Sequence, residues 1–468
     1  MGLSGPVGGV PVSPERPRGE VSTRQDGSAP ARLQGLTAAS APPIPRPLAG
    51  VRVIDLTVAV AGPIATQLLG GLGAEVIRIE TPWGRPKAPM LVAPPLAEAR
   101  DEPWNRIRLF NELHHSKRSL SLNLLHPLGK QTLLDLVGVS DVLVENFSPR
   151  VMGNFGLEWE TLRERNPDLV FASMPAFGKS GPYRDRVSYG PGIDAMSGLA
   201  WLTGYADETP LKPGNFYCDQ NAGLHTAYAV VAALLQRDHG GAGQTVELAM
   251  IEGELQLVAD ALLSAQFMEA EPERIGNDHR CWAPHGVYAG DGDDAWLALA
   301  CRCDADWAAL LRVIAEDTGD DGGVDLATAL RADPRFRTNL RRWKHRRDLN
   351  ALIGKWSALH QPEILAQRLQ AAGVPASNVV GARDLLHDQH FLERQTAVLV
   401  EHPQIGPTPV PQPAFRLQRT PSPPTGAAPL FADGTDYVLR DLLGYADAQI
   451  DELIDAGVTS HELLERPT

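Results

Sequence analysis

Two residues in one stretch have the types and spacing for acyl or proton chemistry. Tyr189 lies in the Gly/Pro-rich run RVSYGPGIDAMSG, and thirty residues later Asp219 lies in NFYCDQNAG. The apolar segment that follows, GLHTAYAVVAALLQR, reads as a long helix over 223–237. A carboxylate at the mouth of such a helix, facing a turn rich in backbone N–H groups, can act as a nucleophile or a general base. The same acid can simply cap the helix, and taken alone the stretch reads as a cap first.

The elements around it must decide. VRVIDLT (51–57) reads as a buried strand, AGPIATQLLGGLGA (61–74) as a helix with Pro63 in its first turn, and EVIRIE (75–80) as a second strand. A strand, helix, strand unit of this length implies a parallel pair with a right-handed crossover. An alternating strand is expected over Ser119–Leu124, a helix over GKQTLLDLVGVS, a strand over DVLVENF (141–147), a helix over ETLRERNP and a strand over LVFASMPAF (169–177). This order predicts an α/β fold with an open parallel sheet wrapped by helices, whose ligands bind beyond the C-terminal strand ends. Glu80, ending the second strand, invites a dinucleotide-binding reading. The glycines argue against it, because Gly70, Gly71 and Gly73 fall at the far end of the helix, where they cannot cradle a phosphate.

After GGAGQTVELAMIEGELQLVADALL, read as turn, strand and helix, the texture changes near residue 270. Two antiparallel strands around a D-G turn and then several helices predict a smaller α+β domain. Its basic run Arg341–Arg347 reads as a solvated helical face, with a phosphate contact as the alternative. Pro-rich pieces and a helical end (435–444 and 447–456) read as a tail returning to the first domain. The expected divisions are a disordered extension over 1–47, a large domain over 48–255, a linker and small domain over 256–394, and a C-terminal tail over 395–468.

Composition excludes several classes. With 468 residues, 43% apolar, 21% charged and a formal charge of −14, the chain is ordinary for an enzyme and unlike a nucleic-acid binder. No apolar run reaches the roughly 20 residues that span a bilayer. Four cysteines and no secretory pattern predict a cytoplasmic protein with reduced thiols. Cys281, Cys301 and Cys303 with His279 and His285 lack a second C-x-x-C pair, so no metal is expected. Strand alternation in WLALACRCD would send Cys301 and Cys303 to one face.

The chain resembles the family III CoA-transferases, the group that includes formyl-CoA and carnitine CoA-transferases; α-methylacyl-CoA racemases belong to the same superfamily. The carriers run in order from about Leu48 to Gly457: LAGVRVIDLT, AGPIATQLLGGLGAEVIRIE, NELHHSKRSLSLNL, DVLVENFSPRVM, GPYRDR, AMSGLAWLTG, the Asp219 segment, GAGQTVELAM, APHGVYAGDGDDAWLALA and GVPASNVVGARDLLHDQHFLERQ. The resemblance implies a Rossmann-like large domain with a small α+β domain, and a homodimer of interlocked rings. It implies that Asp219 is a nucleophile forming an aspartyl anhydride and an aspartyl-CoA thioester. Acyl-CoA and a carboxylic acid would be the substrates, with no permanently bound cofactor. It places Tyr189, Gly190, Asn146, Leu122, Arg118, Val60 and Ala61 at or beside the CoA and acyl site.

Within that resemblance the chain departs from the formyl-CoA branch. That branch has a glutamate where Gly190 stands, a glutamine at Val60 and a CoA-contacting arginine at Asn154, and a tetraglycine loop with no counterpart between 255 and 300. The implied acyl group is less polar than formyl or oxalyl. Racemases carry a histidine at the place of Tyr189, and a phenol that titrates near ~10 is a poor α-proton base. Transfer is therefore expected ahead of racemisation, with a CoA-binding homologue of altered activity as a third reading.

Overall fold

A computed structural model describes residues 45–84, 103–206, 208–214, 217–268, 271–317, 323–385 and 387–465. The expected extension over 1–47 therefore lies almost wholly outside the described residues. Six strands form one fully parallel sheet: β1 (Arg52–Asp55), β2 (Glu75–Glu80), β3 (Lys117–Ser121), β4 (Val142–Glu145), β5 (Val170–Ser173) and β6 (Thr245–Glu247). Their order is β3-β2-β1-β4-β5-β6. Four of them read as near-continuous apolar runs (VID, VIRI, VLV, VFA), as expected of strands covered on both faces, and every residue of β4 and β5 is buried.

The reversal of strand order between β1 and β4 creates the crevice where such sheets bind ligands. On one face, Val53, Val76, Val142, Val144, Val170 and Ala172 pack against α1 (Ala61–Gly71) and a 22-residue helix that opens at Tyr217. On the other, Ile54, Ile77, Leu143 and Phe171 pack against Leu133, Leu136 and Leu162, and against tail residues Val438, Leu439, Ile450 and Leu453. The tail also closes the edge of β3: Ser119 N–H donates to Asp433, Gly434 N–H donates to the Ser119 carbonyl and the Thr459 hydroxyl to that of Ser121. An edge so covered offers no template for strand addition.

A third apolar cluster, drawn from residues 288–376, belongs to a separate antiparallel sheet of β7 (His285–Ala289), β8 (Trp296–Ala300) and β9 (Ala376–Asn378) with its helices. A hairpin of β10 (Ala397–His402) and β11 (Gly406–Pro411) precedes the tail. The mixed α/β architecture is the one expected.

Several local expectations are corrected. β3 starts two residues early, at Lys117, which pairs with Asp55 at 2.9 Å, and it does not alternate because Ser119, Leu120 and Ser121 are all buried. Cys301 is buried while Cys303 is exposed, since β8 ends at Ala300 and the chain then turns into a helix. The basic run is not a uniformly solvated face: Arg342 is fully buried, donating to the carbonyls of Ala283 and Phe336 and to Asp304.

Candidate active site

The first helix positions the site. It enters from the loop after β1, where Ala59 holds a left-handed φ of 60°. A non-glycine residue there is strained unless its surroundings enforce it. Asn146, just past β4, supplies the restraint by accepting from the Val58 N–H at 2.8 Å and donating to the Val58 carbonyl at 2.9 Å. The loop thus bridges the two strands of the crevice, and Val60 and Ala61 are both buried.

The helix expected to open at Gly223 opens instead at Tyr217, so Asp219 lies inside its first turn. Gly223 lets this helix approach α1 closely: a Cβ there would fall 2.6 Å from the Ile64 side chain and 2.8 Å from the Ala61 carbonyl. That approach sets Asp219 against the start of α1. The stretch expected as a turn after Tyr189 is also helical, over Gly190–Met196 with Tyr189 at its N-cap. Gly190 is buried against Asp219, and Tyr189 stands at the rim, 66% exposed.

Asp219 is only 8% exposed. Burial pushes its carboxyl up to about 6; the Ala61 and Asp219 backbone N–H groups oppose the rise and the charge of Asp194 adds to it. A carboxylate of that basicity is ionised at neutral pH and more nucleophilic than an ordinary aspartate.

On the far side of the same loop a cleft of about 280 Å³ opens at the C-terminal ends of β1, β2 and β3. Leu56, Val58, Arg78, Ile79, Leu122 and Phe147 line it. Arg78 donates to the Thr57 carbonyl at 3.2 Å and to Glu80 at 3.3 Å. The loop therefore links the two features, with Val58 on the cleft and Ala61 on Asp219. A more open polar hollow of about 470 Å³ lies at the opposite strand ends, around Asp141, Asn166 and Arg237, and includes none of the expected site residues.

Of the residues expected at the site, Ala61 and Gly190 meet Asp219, with Val60 and Tyr189 next to them in sequence, Leu122 lines the cleft and Asn146 bridges the loop. Arg118 stands apart at the start of β3, 3.4 Å from Glu75 and over the Tyr437 ring. Two buried acids, Asp194 and Glu254, lie beside the site and escaped sequence reasoning. A helical reading of GPGIDAM carried the signal for the first, since Gly190 and Asp194 are four apart and share a face. Arg78, inside an apolar strand run, was also missed.

Among the described residues no helix is long and apolar enough to cross a membrane. The chain matches CoA-transferase family III over residues 48–435. It is 32% identical over 404 residues to a succinyl-CoA–D-citramalate CoA-transferase of Chloroflexus aurantiacus, covering 86% of this chain and 96% of that one. It is 31% identical over 434 residues to a formyl-CoA:oxalate CoA-transferase of Rhodopseudomonas palustris, covering 88% and 97%. Among solved structures, a CAIB/BAIF family protein from Brucella suis superposes with a TM-score of 0.74 at 27% identity, over 86% of this chain and all of that one. With a matching family across most of its length and transferases of that family above 30% identity, the chain belongs to CoA-transferase family III.

Proposed function

We propose that this CoA-transferase moves CoA from an acyl-CoA to a carboxylic acid through covalent intermediates on Asp219. The Asp219 carboxylate attacks the donor thioester carbonyl and expels CoA thiolate, leaving an acyl-aspartyl anhydride. The thiolate then attacks the aspartyl carbonyl, releasing the donor acid and leaving an aspartyl-CoA thioester. An acceptor carboxylate attacks that thioester, giving a second anhydride and thiolate. Attack of the thiolate on the acceptor carbonyl releases the new acyl-CoA and returns Asp219. No net oxidation or proton loss occurs.

The observation that carries this reading is the placement of Asp219 at the start of α1, where backbone N–H groups and the helix dipole favour negative charge. The cleft at the strand ends is the place for the CoA nucleotide, with Arg78 and Leu122 among its walls. Racemisation needs a second base across from Asp219. The residue pressed against its carboxylate is Gly190, with a tyrosine before it. Relatives named for succinyl-CoA and formyl-CoA indicate small acyl groups, and Val60 and Gly190 favour one less polar than formate or oxalate.

The working unit in this reading is a homodimer. The outer face of the Asp219 helix exposes Leu224, Tyr228 and Leu235 in a stripe, and Leu262, Leu263 and Phe267 are exposed on the helix Ala259–Met268. A second copy of the chain is the occupant that the family resemblance implies, and light scattering at micromolar concentration tests it.

The decisive experiment traps the intermediate. Acyl-CoA with hydroxylamine is expected to leave a hydroxamate on Asp219, found by peptide mass spectrometry, and Asp219→Ala is expected to abolish CoA exchange. Exchange that survives intact in Asp219→Ala refutes the reading.

A further inference from the structure

Beside Asp219, three side chains from three helices meet. They are Asp194 on Gly190–Met196, Cys218 on the Asp219 helix and Glu254 on the helix Met250–Leu255. Their ligating atoms all lie within 4.8 Å of one another. Asp194 is 1% exposed and Glu254 0%. Asp194 Oδ1 has no hydrogen-bond donor among the described residues, and the Glu254 carboxyl faces Asp194 and the Ser197 side chain without a well-aligned donor to either oxygen.

We propose that Asp194 and Glu254 form a one-proton carboxyl pair that keeps a single negative charge beside Asp219 and so governs how reactive the Asp219 carboxylate is. The inference rests on Asp219 being the nucleophile, and Asp194 and Glu254 act through it as positioning residues.

Two ionised carboxylates cannot share an enclosed space at this separation, and no lysine or arginine is among the leading influences on the Glu254 carboxyl. One proton between them removes the conflict and supplies the missing donor, because a protonated carboxyl donates while an ionised one accepts. Aspartic dyads behave this way, and the pair titrates as a unit. The proton belongs on Glu254. Burial, the contact with Asp194 and the charge of Asp194 together push it up to about 8, with Ser197 opposing. Asp194 then holds the charge.

The charge is felt where the chemistry is. Asp194 raises Asp219 and, with Glu254 and Asp219, adds to the effect of burial in pushing the Cys218 thiol far up. The groups facing Asp219 are few. α1 presents the Ala61 N–H and carries no titratable side chain. The helix after Tyr189 presents Asp194; the Asp219 helix presents Cys218, with His225 further along against Gly253; Met250–Leu255 presents Glu254, its Glu252 being exposed. Among the described residues no lysine or arginine is a leading influence on Asp219. A fixed negative charge with no counter-ion nearby makes a carboxylate more basic, and a more basic carboxylate is a stronger nucleophile toward a thioester.

Infrared spectroscopy and a pH profile on the full-length protein test this. At pH 7 the wild-type protein is expected to show the C=O stretch of a protonated carboxyl, shifted in heavy water and lost in E254Q. In E254Q the amide still donates to an ionised Asp194, so the acid limb of kcat/KM for acyl-CoA stays close to its wild-type position. In D194N/E254Q no charge remains, and the limb moves down by roughly one pH unit with a several-fold lower kcat at pH 8. The inference is overturned by absence of the protonated-carboxyl band, by its persistence in E254Q, or by an unmoved limb in folded D194N/E254Q. Stoichiometric metal that leaves with Glu254 also overturns it. If the double variant does not fold, the infrared comparison of wild type and E254Q decides alone. Failure of Asp219 as nucleophile has a different signature: D219A keeps exchange and no hydroxamate forms, whatever the infrared band does.

Discussion

The backbone of Gly190 lies directly against the carboxylate of Asp219: a Cβ at position 190 would fall 2.1 Å from Oδ2 and 3.3 Å from Cγ. Nothing larger than hydrogen fits while the carboxylate keeps its place. Gly190→Ala is therefore expected to rotate Asp219 away from the Ala61 N–H rather than to break the helix, because the colliding atom ends a side chain that can turn. Misplacement of about 1 Å at a reacting group costs on the order of 10²-fold in rate. Steady-state kinetics should show a kcat drop of that order while Tm moves by only a few degrees. A wild-type kcat in Gly190→Ala would mean that the carboxylate orientation does not matter.

Asp219 also makes a stability prediction. An acid whose folded-state value is raised, here from 3.8 to about 6, binds its proton more tightly when folded. Its contribution to stability is therefore greatest in acid, declines as pH rises from about 4 to 6 and stays lost above that. Asp219→Asn escapes the decline. It is expected to be inactive and yet more stable than wild type by about 2–3 kcal/mol at pH 7.5, with the gap closing below pH 4. Denaturant unfolding at both pH values checks the sign, and a gap that widens in acid would contradict it.

The sheet was legible because its strands are apolar runs spaced by amphipathic helices; Glu75–Glu80 is found as read. Periodicity did not reveal what depends on tertiary contact. In sequence Lys117 simply precedes the expected strand, and its pairing with Asp55, 62 residues away, is what accompanies it into the core. At the site, Asp219 and Tyr189 stand out by type and by family resemblance. Asp194 and Glu254 do not, since an acid in GPGIDAM or MIEGEL is ordinary until both helices are seen to face the same enclosed space. The helix at Gly190–Met196 was hidden by its two glycines and proline, which favour a turn in isolation.

Asn146 clamps the loop that joins cleft and nucleophile. Removing its amide in Asn146→Ala deletes two hydrogen bonds and releases Ala59 from its left-handed conformation. The stability cost is expected at about 1–3 kcal/mol, since the amide is not deeply buried. The larger effect falls on catalysis, because Val58 and Ala61 lose their fixed relation. Both a raised KM for acyl-CoA and a lowered kcat are expected, and an effect on Tm alone would assign Asn146 a purely structural role.

Lys117 and Asp55 form the deepest ion pair in the sheet, both side chains fully enclosed. Asp55 also accepts from Thr57 and Thr66, and Lys117 donates to the Thr66 hydroxyl at 2.8 Å and the Pro63 carbonyl at 3.2 Å. Burial pushes the ammonium down to about 8 even with Asp55 beside it, so the pair is costly to enclose. Its worth lies in completeness: taking away one partner leaves an uncompensated charge, which typically costs 3–5 kcal/mol. Lys117→Met should lose about that much in urea unfolding at pH 7, and Asp55→Leu should lose a similar amount. The double variant should recover most of it, because an apolar pair of similar volume needs no counter-charge. Losses that simply add would show that the two residues stabilise β1 and α1 independently. Recovery in the double variant would show that each charge is needed chiefly to neutralise the other.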